Sequence, residues 1–357
     1  MTDQKNLQAA LESALAHVTG SPVWIENLAM IAGGASQETW RLDLCMDNGG
    51  HAGALPLILR RPLGGAIYDS SLDLRAEDRV HRAAFAAGAA VPPPFRLLDD
   101  LLGAPALLVE RLDAESIGRK LVREPRFAAA RAMLPAQMGV ALAAIHSVDL
   151  ERSELWGALP APVSGQTPAQ TRLAQIEAEL DSIAEPHPAL ELCLRWLRRN
   201  EPPPPDKPVL VHGDFRVGNL LVSPEQGLVG VIDWEFAHIG DYAEDLTWGL
   251  IREWRFGVVG LRLGGIGQPE PFFEAYARAS GRQVDPARIA YWELLANVWW
   301  AIGCLNQARR HLRAEQANIE FVSLGRRAAE MELEALTQMQ NAKCKMQKPE
   351  RMQHEAT

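Results

Sequence analysis

Apolar and polar positions change their period along this chain, and the changes divide it. Leu7, Leu11, Leu15 and Val18 recur at helical spacing over residues 4–18, which predicts an opening amphipathic helix. From residue 23 the spacing shortens. Residues 23–31 read as a strand, 39–44 (TWRLDL) alternate as its returning partner, and 57–61 (LILRR) give another strand after a turn at Asn48, Gly49 and Gly50. Residues 71–87, alanine-rich and charged, return to helical spacing. Val91, Pro92, Pro93 and Pro94 end them, and 95–98 and 106–109 add two more strands. Beyond Asp113 the pattern is mostly helical, over 119–149, 170–183, 189–199, 285–311 and 318–338. A loop rich in Pro, Gly, Ala and Ser at 157–169 and the run of prolines after Glu201 interrupt it. Two short apolar runs inside this helical half, 209–211 and 228–232, read as strands. Strands gathered early and helices late predict an α+β fold in which the two kinds segregate. We divide the chain at residue 112, into 1–112 and 113–337, and expect the polar segment 338–357 to be a flexible tail.

Composition narrows the picture further. At 357 residues and 47% hydrophobic content the chain can bury two cores and is not globally disordered. A net charge of -9 leaves no basic footprint for nucleic acid. That field suits a small cationic ligand without demanding one. Cys45, Cys193, Cys304 and Cys344 stand far apart, with no CxxC pair to suggest zinc or a disulfide framework. The first residues lack a basic stretch followed by an apolar core, so no secretory signal is expected and the cytoplasm is the expected location. Residues 291–305 are strongly apolar but are interrupted by Glu293 and Asn297 and fall short of the ~20 residues that span a bilayer. No membrane role is expected, and Trp292, Trp299 and Trp300 are expected to fill a core.

The chemistry is densest at residues 209–221, VLVHGDFRVGNLL. An apolar strand delivers His212, Asp214 and Asn219 in the order HxDxxxxN, the spacing of a kinase catalytic loop. In such a loop the Asp accepts a substrate hydroxyl proton and the Asn holds magnesium. Pro224, Glu225, Gln226 and Gly227 signal a turn, and the strand after it ends at Asp233. A hairpin there brings Asp233 back beside Asn219, so two oxygen ligands converge as a hard cation requires. Upstream, Gly33, Gly34 and Ser36 lie between two strands, where backbone N–H groups can approach phosphate oxygens. An ordinary tight turn gives the same composition.

These segments, HGDFRVGNLL, VIDWEFAHIGDYAEDL and GGASQETW, resemble the aminoglycoside phosphotransferase and choline kinase-like enzymes, which share the protein-kinase fold. They are most similar to a branch found as stand-alone bacterial proteins and as kinase domains joined to acyl-CoA dehydrogenases. The resemblance extends over about residues 20–335. It implies a bilobal fold, an N-terminal lobe of antiparallel strands with one helix and a mainly helical C-terminal lobe. It implies ATP and Mg2+ as cofactors, Asp214 as catalytic base, and Asn219 and Asp233 as metal ligands. By role, Arg60 takes the position of the phosphate-binding lysine, with Ile58 on the same face against the nucleotide base and Arg61 pointing away. Arginine there is a departure from the wider fold, since its planar fork binds phosphate differently. Glu77 matches the helix glutamate that orients this cation. The backbone of Glu110 and Leu112 would meet the adenine. His146 and Asp245 match positions that brace the catalytic loop.

The implied activity is transfer of the ATP γ-phosphate to a hydroxyl of a small molecule. An aminoglycoside is one acceptor that the family suggests. A hydroxyacyl or acidic metabolite is favoured here, because the presumed cleft segments 254–267 and 291–305 carry Arg255, Arg262, Trp299 and Trp300 against the single acid Glu293. A nucleotide-binding pseudokinase module and a metal hydrolase using His212 and Asp214 stay open as alternatives.

Overall fold

The computed structural model describes residues 3–31, 37–46, 54–62, 71–313 and 319–354. Helix α1 (Gln4–Thr19) starts where Asp3 accepts the Lys5 N–H and stops at Gly20, which takes a left-handed conformation at φ +67°. Its Leu7, Leu11 and Leu15 pack against an antiparallel sheet of β1 (Val23–Ile31), β2 (Gln37–Met46), β3 (Leu55–Pro62), β4 (Pro94–Leu98) and β5 (Ala106–Glu110). The strand order is β1-β2-β3-β5-β4. Alternation along β3 puts Leu57 and Leu59 into the core under α1 and leaves Ile58 and Arg60 on the opposite face. Helix α2 (Leu74–Ala86) packs beside β4, capped by Asp73 accepting the Ala76 N–H.

The C-terminal lobe is mainly helical: α3 (Gly118–Arg123), α4 (Ala128–His146), α5 (Pro168–Asp181), α6 (Pro188–Arg199), α7 (Ala243–Trp248), α8 (Glu270–Ser280), α9 (Pro286–Leu312) and α10 (Ile319–His354). Two small antiparallel ladders are set into it. The expected strand β6 (Val209–Val211) pairs with β9 (His238–Gly240), and β7 (Leu220–Ser223) pairs with β8 (Gly227–Val231). Strand β9 has three residues, too few to show a period of two. The bilobal, protein-kinase-like α+β architecture expected from the sequence is the one found.

Three elements differ from expectation. The stretch 119–149 is split by a single turn at Pro125–Phe127, because Glu124, the residue before Pro125, takes an extended conformation at ψ 133° that ends α3. Helix α10 runs past Gln338 to His354, since residues 339–348 hold no Gly or Pro and mostly good helix formers. Among the described residues, one apolar helical segment that the sequence pattern did not single out, Pro125–His146, meets a bilayer's length and composition. Half of that segment is buried inside the fold, with Leu134, Met138, Leu142 and Ile145 in the core beside α8 and β8.

The lobes are tied by main-chain bonds. The Val231 N–H donates to Ala90 O at 2.8 Å, and the Leu72 N–H donates to Glu235 O at 2.7 Å. The first holds the segment after α2 against the end of β8, and the second holds the segment before α2 against the chain that follows β8.

Helices α4 and α8 approach most closely at Gly139, where an added Cβ would overlap the Phe272 carbonyl oxygen and lie 2.7 Å from the Tyr276 nitrogen. Gly139→Ala is expected to destabilise the protein by about 1–3 kcal/mol, the usual range for overpacking. Gly260→Ala, which meets nothing within 4 Å, serves as the comparison and should be close to neutral. Urea unfolding midpoints of the two variants check this, and equal midpoints would contradict it.

Candidate active site

Strand β6 delivers the loop, and a buried carboxylate shapes it. Asp245, in the first turn of α7, accepts the His212 N–H at 2.7 Å through Oδ2 and the Gly213 N–H at 2.9 Å through Oδ1. His146 Nε2 lies 3.0 Å from Asp245 Oδ2, and its Nδ1 is 2.8 Å from the Tyr276 hydroxyl. Both residues expected to brace the loop therefore do so. Burial opposes a charge on Asp245, but His146 and the loop amides more than offset it and hold the carboxyl below its ordinary value. Gly213 sits at φ +82°, and any Cβ there would overlap the Phe236 carbonyl oxygen, so the turn requires glycine.

His212 is a structural strut. Its Nδ1 is 3.2 Å from the Asp214 N–H and its Nε2 is 3.1 Å from the Ile232 carbonyl oxygen. The neutral tautomer with the proton on Nε2 satisfies both contacts. With both ring nitrogens engaged, His212 is unavailable as a metal ligand, which removes the basis for a His212–Asp214 hydrolase.

Asp214 projects from this loop with both oxygens held. Asn219 Nδ2 donates to its Oδ2 at 2.6 Å; Arg216 Nε donates to its Oδ1 at 2.8 Å, as does the Trp248 indole N–H. Arg216 is steadied by the Trp254 ring 4.2 Å below its guanidinium. Asn219 also donates to the Asp214 carbonyl at 3.0 Å, so its amide nitrogen faces Asp214 and its Oδ1 is the atom left for a cation.

The hairpin closes as the spacing suggested. Leu220 pairs with Val231, and the Ile232 N–H donates to Asn219 O at 3.0 Å, which sets Asp233 next to Asn219. Asp233 takes φ +73°, a conformation costing a non-glycine residue roughly 1–3 kcal/mol. The bonds on either side of it sustain that cost.

From Asp233 an ionic chain crosses the cleft. Arg60 Nη2 donates to Asp233 Oδ1 at 3.3 Å and Arg60 Nη1 to Glu77 Oε2 at 2.7 Å, while Gln37 Nε2 donates to Glu77 Oε1 at 2.6 Å. Burial works against the charge of Arg60, but Glu77, Asp233 and Glu235 outweigh it and hold the guanidinium above its ordinary value. Arg61 points the other way, to Glu38 and the Leu101 carbonyl. Glu110 ends β5 with its N–H given to Pro93 O, and Leu112 lies two residues beyond. A Cβ at Gly230 would meet Leu221, Leu112 and Pro92 at 3.1–3.3 Å, so the β7–β8 hairpin packs tightly against this connection. Gly33, Gly34 and Ser36 lie outside the described residues.

Asn219 and Asp233 offer oxygen donors alone, and the Asp233 side chain is about a third exposed toward the cleft. Among the described residues no three His, Cys, Asp or Glu converge on one point. Two protein oxygens completed by phosphate and water fit magnesium better than any all-protein metal cage.

The acceptor side differs from expectation. Arg255 is buried and bonded to the Leu250 carbonyl, and Arg262 is paired with Glu293 at 2.7 Å, so neither forms a free basic wall. Trp300 packs against Trp254 and Trp248. Two adjoining cavities sit beside Gly213 instead. One is lined by Arg172, His238, Glu244 and Trp299, and the other by Arg172, Glu244, Trp248, Trp292 and Trp299. Sequence reasoning missed Arg172, Arg216 and Trp248. Arg216 sits two residues after Asp214 and could have been suspected, whereas Arg172 and Trp248 meet the loop only through the tertiary fold.

A two-lobed kinase-like fold with an HxDxxxxN loop and a following hairpin Asp is the architecture of small-molecule phosphotransferases. The chain belongs to the Phosphotransferase enzyme family, whose sequence model matches residues 28–292. It is similar to Acyl-CoA dehydrogenase family member 11 of Pongo abelii, 26% identical over 292 residues covering 78% of this chain and 36% of that protein. The chain thus spans little more than a third of that relative's length. Among solved structures it resembles a Ralstonia eutropha protein described as an aminoglycoside phosphotransferase, with TM-score 0.71, 20% identity and coverage of 95% of this chain and 98% of the other. It also resembles spectinomycin phosphotransferase APH(9)-Ia in complex with ADP and spectinomycin, at TM-score 0.61, 14% identity and coverage of 94% and 98%. At these identities the structural likeness is one of fold.

The buried histidines make the protein acid-sensitive. Burial holds His212 and His81 below the ordinary value of 6.5, His81 against the Pro92 carbonyl at 2.6 Å. The unfolded chain then binds more protons than the native one as pH falls. Their contribution is complete above pH 6.5 and declines below it toward the lower native pKa values. The urea midpoint is expected to be lower at about pH 5.5 than at about pH 7.5. A midpoint that rises on acidification would contradict this assignment.

Proposed function

We propose that the protein transfers the γ-phosphoryl group of ATP to a hydroxyl of a small molecule. The observation that carries this reading is the joint placement of Asp214, Asn219 and Asp233 on one hydrogen-bonded hairpin, with Arg60 joined to Asp233 across the cleft. Phosphoryl transfer asks a protein mainly for positioning and charge neutralisation, and this set supplies both. Asp214 Oδ1 already receives two donors and Oδ2 one, so Oδ2 retains a lone pair for an incoming hydroxyl. Asp214 is accordingly the general base.

Asn219 Oδ1 and Asp233 would hold Mg2+, which when bound neutralises phosphate charge. Arg60, kept in place by Glu77, would bind the phosphates. Gly33, Gly34 and Ser36 are proposed to approach them with backbone N–H groups, and the Glu110 carbonyl and Leu112 amide to meet the adenine. The lobes divide near residue 112 in this reading, and a small molecule in the cytoplasm, not a nucleic acid, is the partner. A pseudokinase module is disfavoured, because Arg60 makes the pair with Glu77 that a working phosphate-binding cation makes with its helix glutamate, and Asp214, Asn219 and Asp233 are all present. For the acceptor, a hydroxyacyl or acidic metabolite is preferred over an aminoglycoside, although Arg255 and Arg262, which first suggested it, are engaged elsewhere.

Asp214→Ala is expected to lower kcat by about a hundred- to ten-thousandfold, the span of general-base contributions, with ATP affinity little changed. Asp233→Ala should instead weaken ATP binding in the presence of magnesium and leave magnesium-free binding unaltered. Calorimetric titration of both variants, with and without magnesium, and steady-state assays separate the two roles. Unchanged turnover in Asp214→Ala would end the assignment.

A further inference from the structure

The two cavities beside Gly213 share Glu244 of α7 and the one cation that lines both, Arg172 of α5. Its Nε donates to Glu244 Oε2 at 3.2 Å, Nη1 to Gln175 Oε1 at 3.1 Å, and Nη2 lies 3.3 Å from His238 Nε2. The bonds to Glu244 and Gln175 engage two of its N–H groups, and each terminal nitrogen keeps at least one further N–H. The Trp299 ring lies under the guanidinium, 5.2 Å from its carbon, and fixes its plane. Trp248, Trp292, Leu295 and Ala296 form apolar walls of the second cavity. Trp248 reaches the base itself, through its indole N–H on Asp214.

We propose that Arg172 is the anchor for a carboxylate of the acceptor, whose apolar body lies along Trp248 and Trp299 and whose hydroxyl reaches Asp214. The inference rests on the reading of Asp214 as the base. Charge decides the class of ligand. Glu244 is the only carboxylate lining either cavity, and Arg172 and His238 both contact it. Burial opposes its ionisation, but these two neighbours outweigh it and hold its carboxyl below the ordinary value, so its charge is spent inside the protein. A polycationic acceptor finds no free acid here. A monoanion finds a rigid, partly desolvated guanidinium with donors to spare, the arrangement that suits planar, bidentate carboxylate recognition. The aromatic walls favour a ligand with an apolar midsection over a polyhydroxylated one.

The alternative is that Arg172 is only a structural tie between α5 and the segment around β9 and α7. Wild-type protein and the charge-balanced double variant Arg172→Gln/Glu244→Gln distinguish the two, with circular dichroism to verify the fold. Medium-chain hydroxy acids, their neutral amides and the matching amino alcohols are the probes. Binding is read by ligand-observed NMR, and turnover separately with ATP and magnesium. The hydroxy acid is expected to bind the wild type, to bind the double variant about ten- to a hundredfold more weakly, and to outcompete its amide and the amino alcohol. Preference for the amino alcohol, equal binding of acid and amide, or hydroxy-acid binding untouched in the folded double variant would overturn the proposal. Should the double variant not fold, the wild type's ranking of acid, amide and amino alcohol still decides it. A hydroxy acid that binds through Arg172 while none of the three probe classes is phosphorylated would count against the kinase reading and leave the Arg172 anchor standing. Phosphorylation confined to amino alcohols would sink this inference alone.

Discussion

The buried carboxylate of Asp245 is the constraint from which the site follows. It is itself buried and accepts two consecutive loop amides, those of His212 and Gly213. Buried N–H groups left without a partner cost roughly 1–3 kcal/mol each, so the loop has little freedom to leave this carboxylate. Once those amides are placed, Gly213 turns the chain under Phe236 and Asp214 emerges toward the cleft. The same loop orients the His212 ring, which spans from the Asp214 amide to the Ile232 carbonyl. One carboxylate therefore sets Asp214 directly and, through His212, the approach to Asp233.

The second organising interaction joins the lobes. Arg60 stands on a strand of the N-terminal sheet, Glu77 on the helix beside it and Asp233 at the end of a C-terminal hairpin. Glu77, whose side chain is 1% exposed, would not be tolerated there without Arg60, because an unpaired buried charge costs several kcal/mol, on the order of 3–5 when one partner is removed. In the proposed reaction the phosphates and the metal ion compete for these same groups. The mutual pairing of these groups keeps both ends oriented. The left-handed backbone at Asp233 belongs to this arrangement, since it is the conformation that directs the carboxylate back toward Arg60.

Much of this was legible from residue types and spacing. The HxDxxxxN pattern and the turn at Pro224 to Gly227 announced the hairpin that sets Asp233 beside Asn219, because loop length and strand register leave little choice. Alternation along LILRR assigned Arg60 and Arg61 to opposite faces correctly. What stayed hidden depends on contacts distant in sequence. Trp248 touches Asp214 from 34 residues away, and nothing in a local window marks it. Arg255 and Arg262 have the composition of a basic wall, yet Arg255 closes its own loop carbonyls and Arg262 is neutralised by Glu293 on α9. Arg172 lies on an ordinary amphipathic helix and gains its meaning from Glu244, His238 and Trp299, each brought in by the tertiary fold. Charge type was readable; charge pairing was not.

The central claim is that this loop and hairpin move a phosphoryl group to an alcohol. Phosphorus NMR of the wild-type protein with ATP, magnesium and a set of hydroxy acids tests it most directly, since it reports the fate of the γ-phosphorus itself. The account predicts a phosphomonoester resonance that grows in step with ADP and needs an acceptor hydroxyl. ADP accompanied only by inorganic phosphate, at the same rate with and without acceptor, would contradict it.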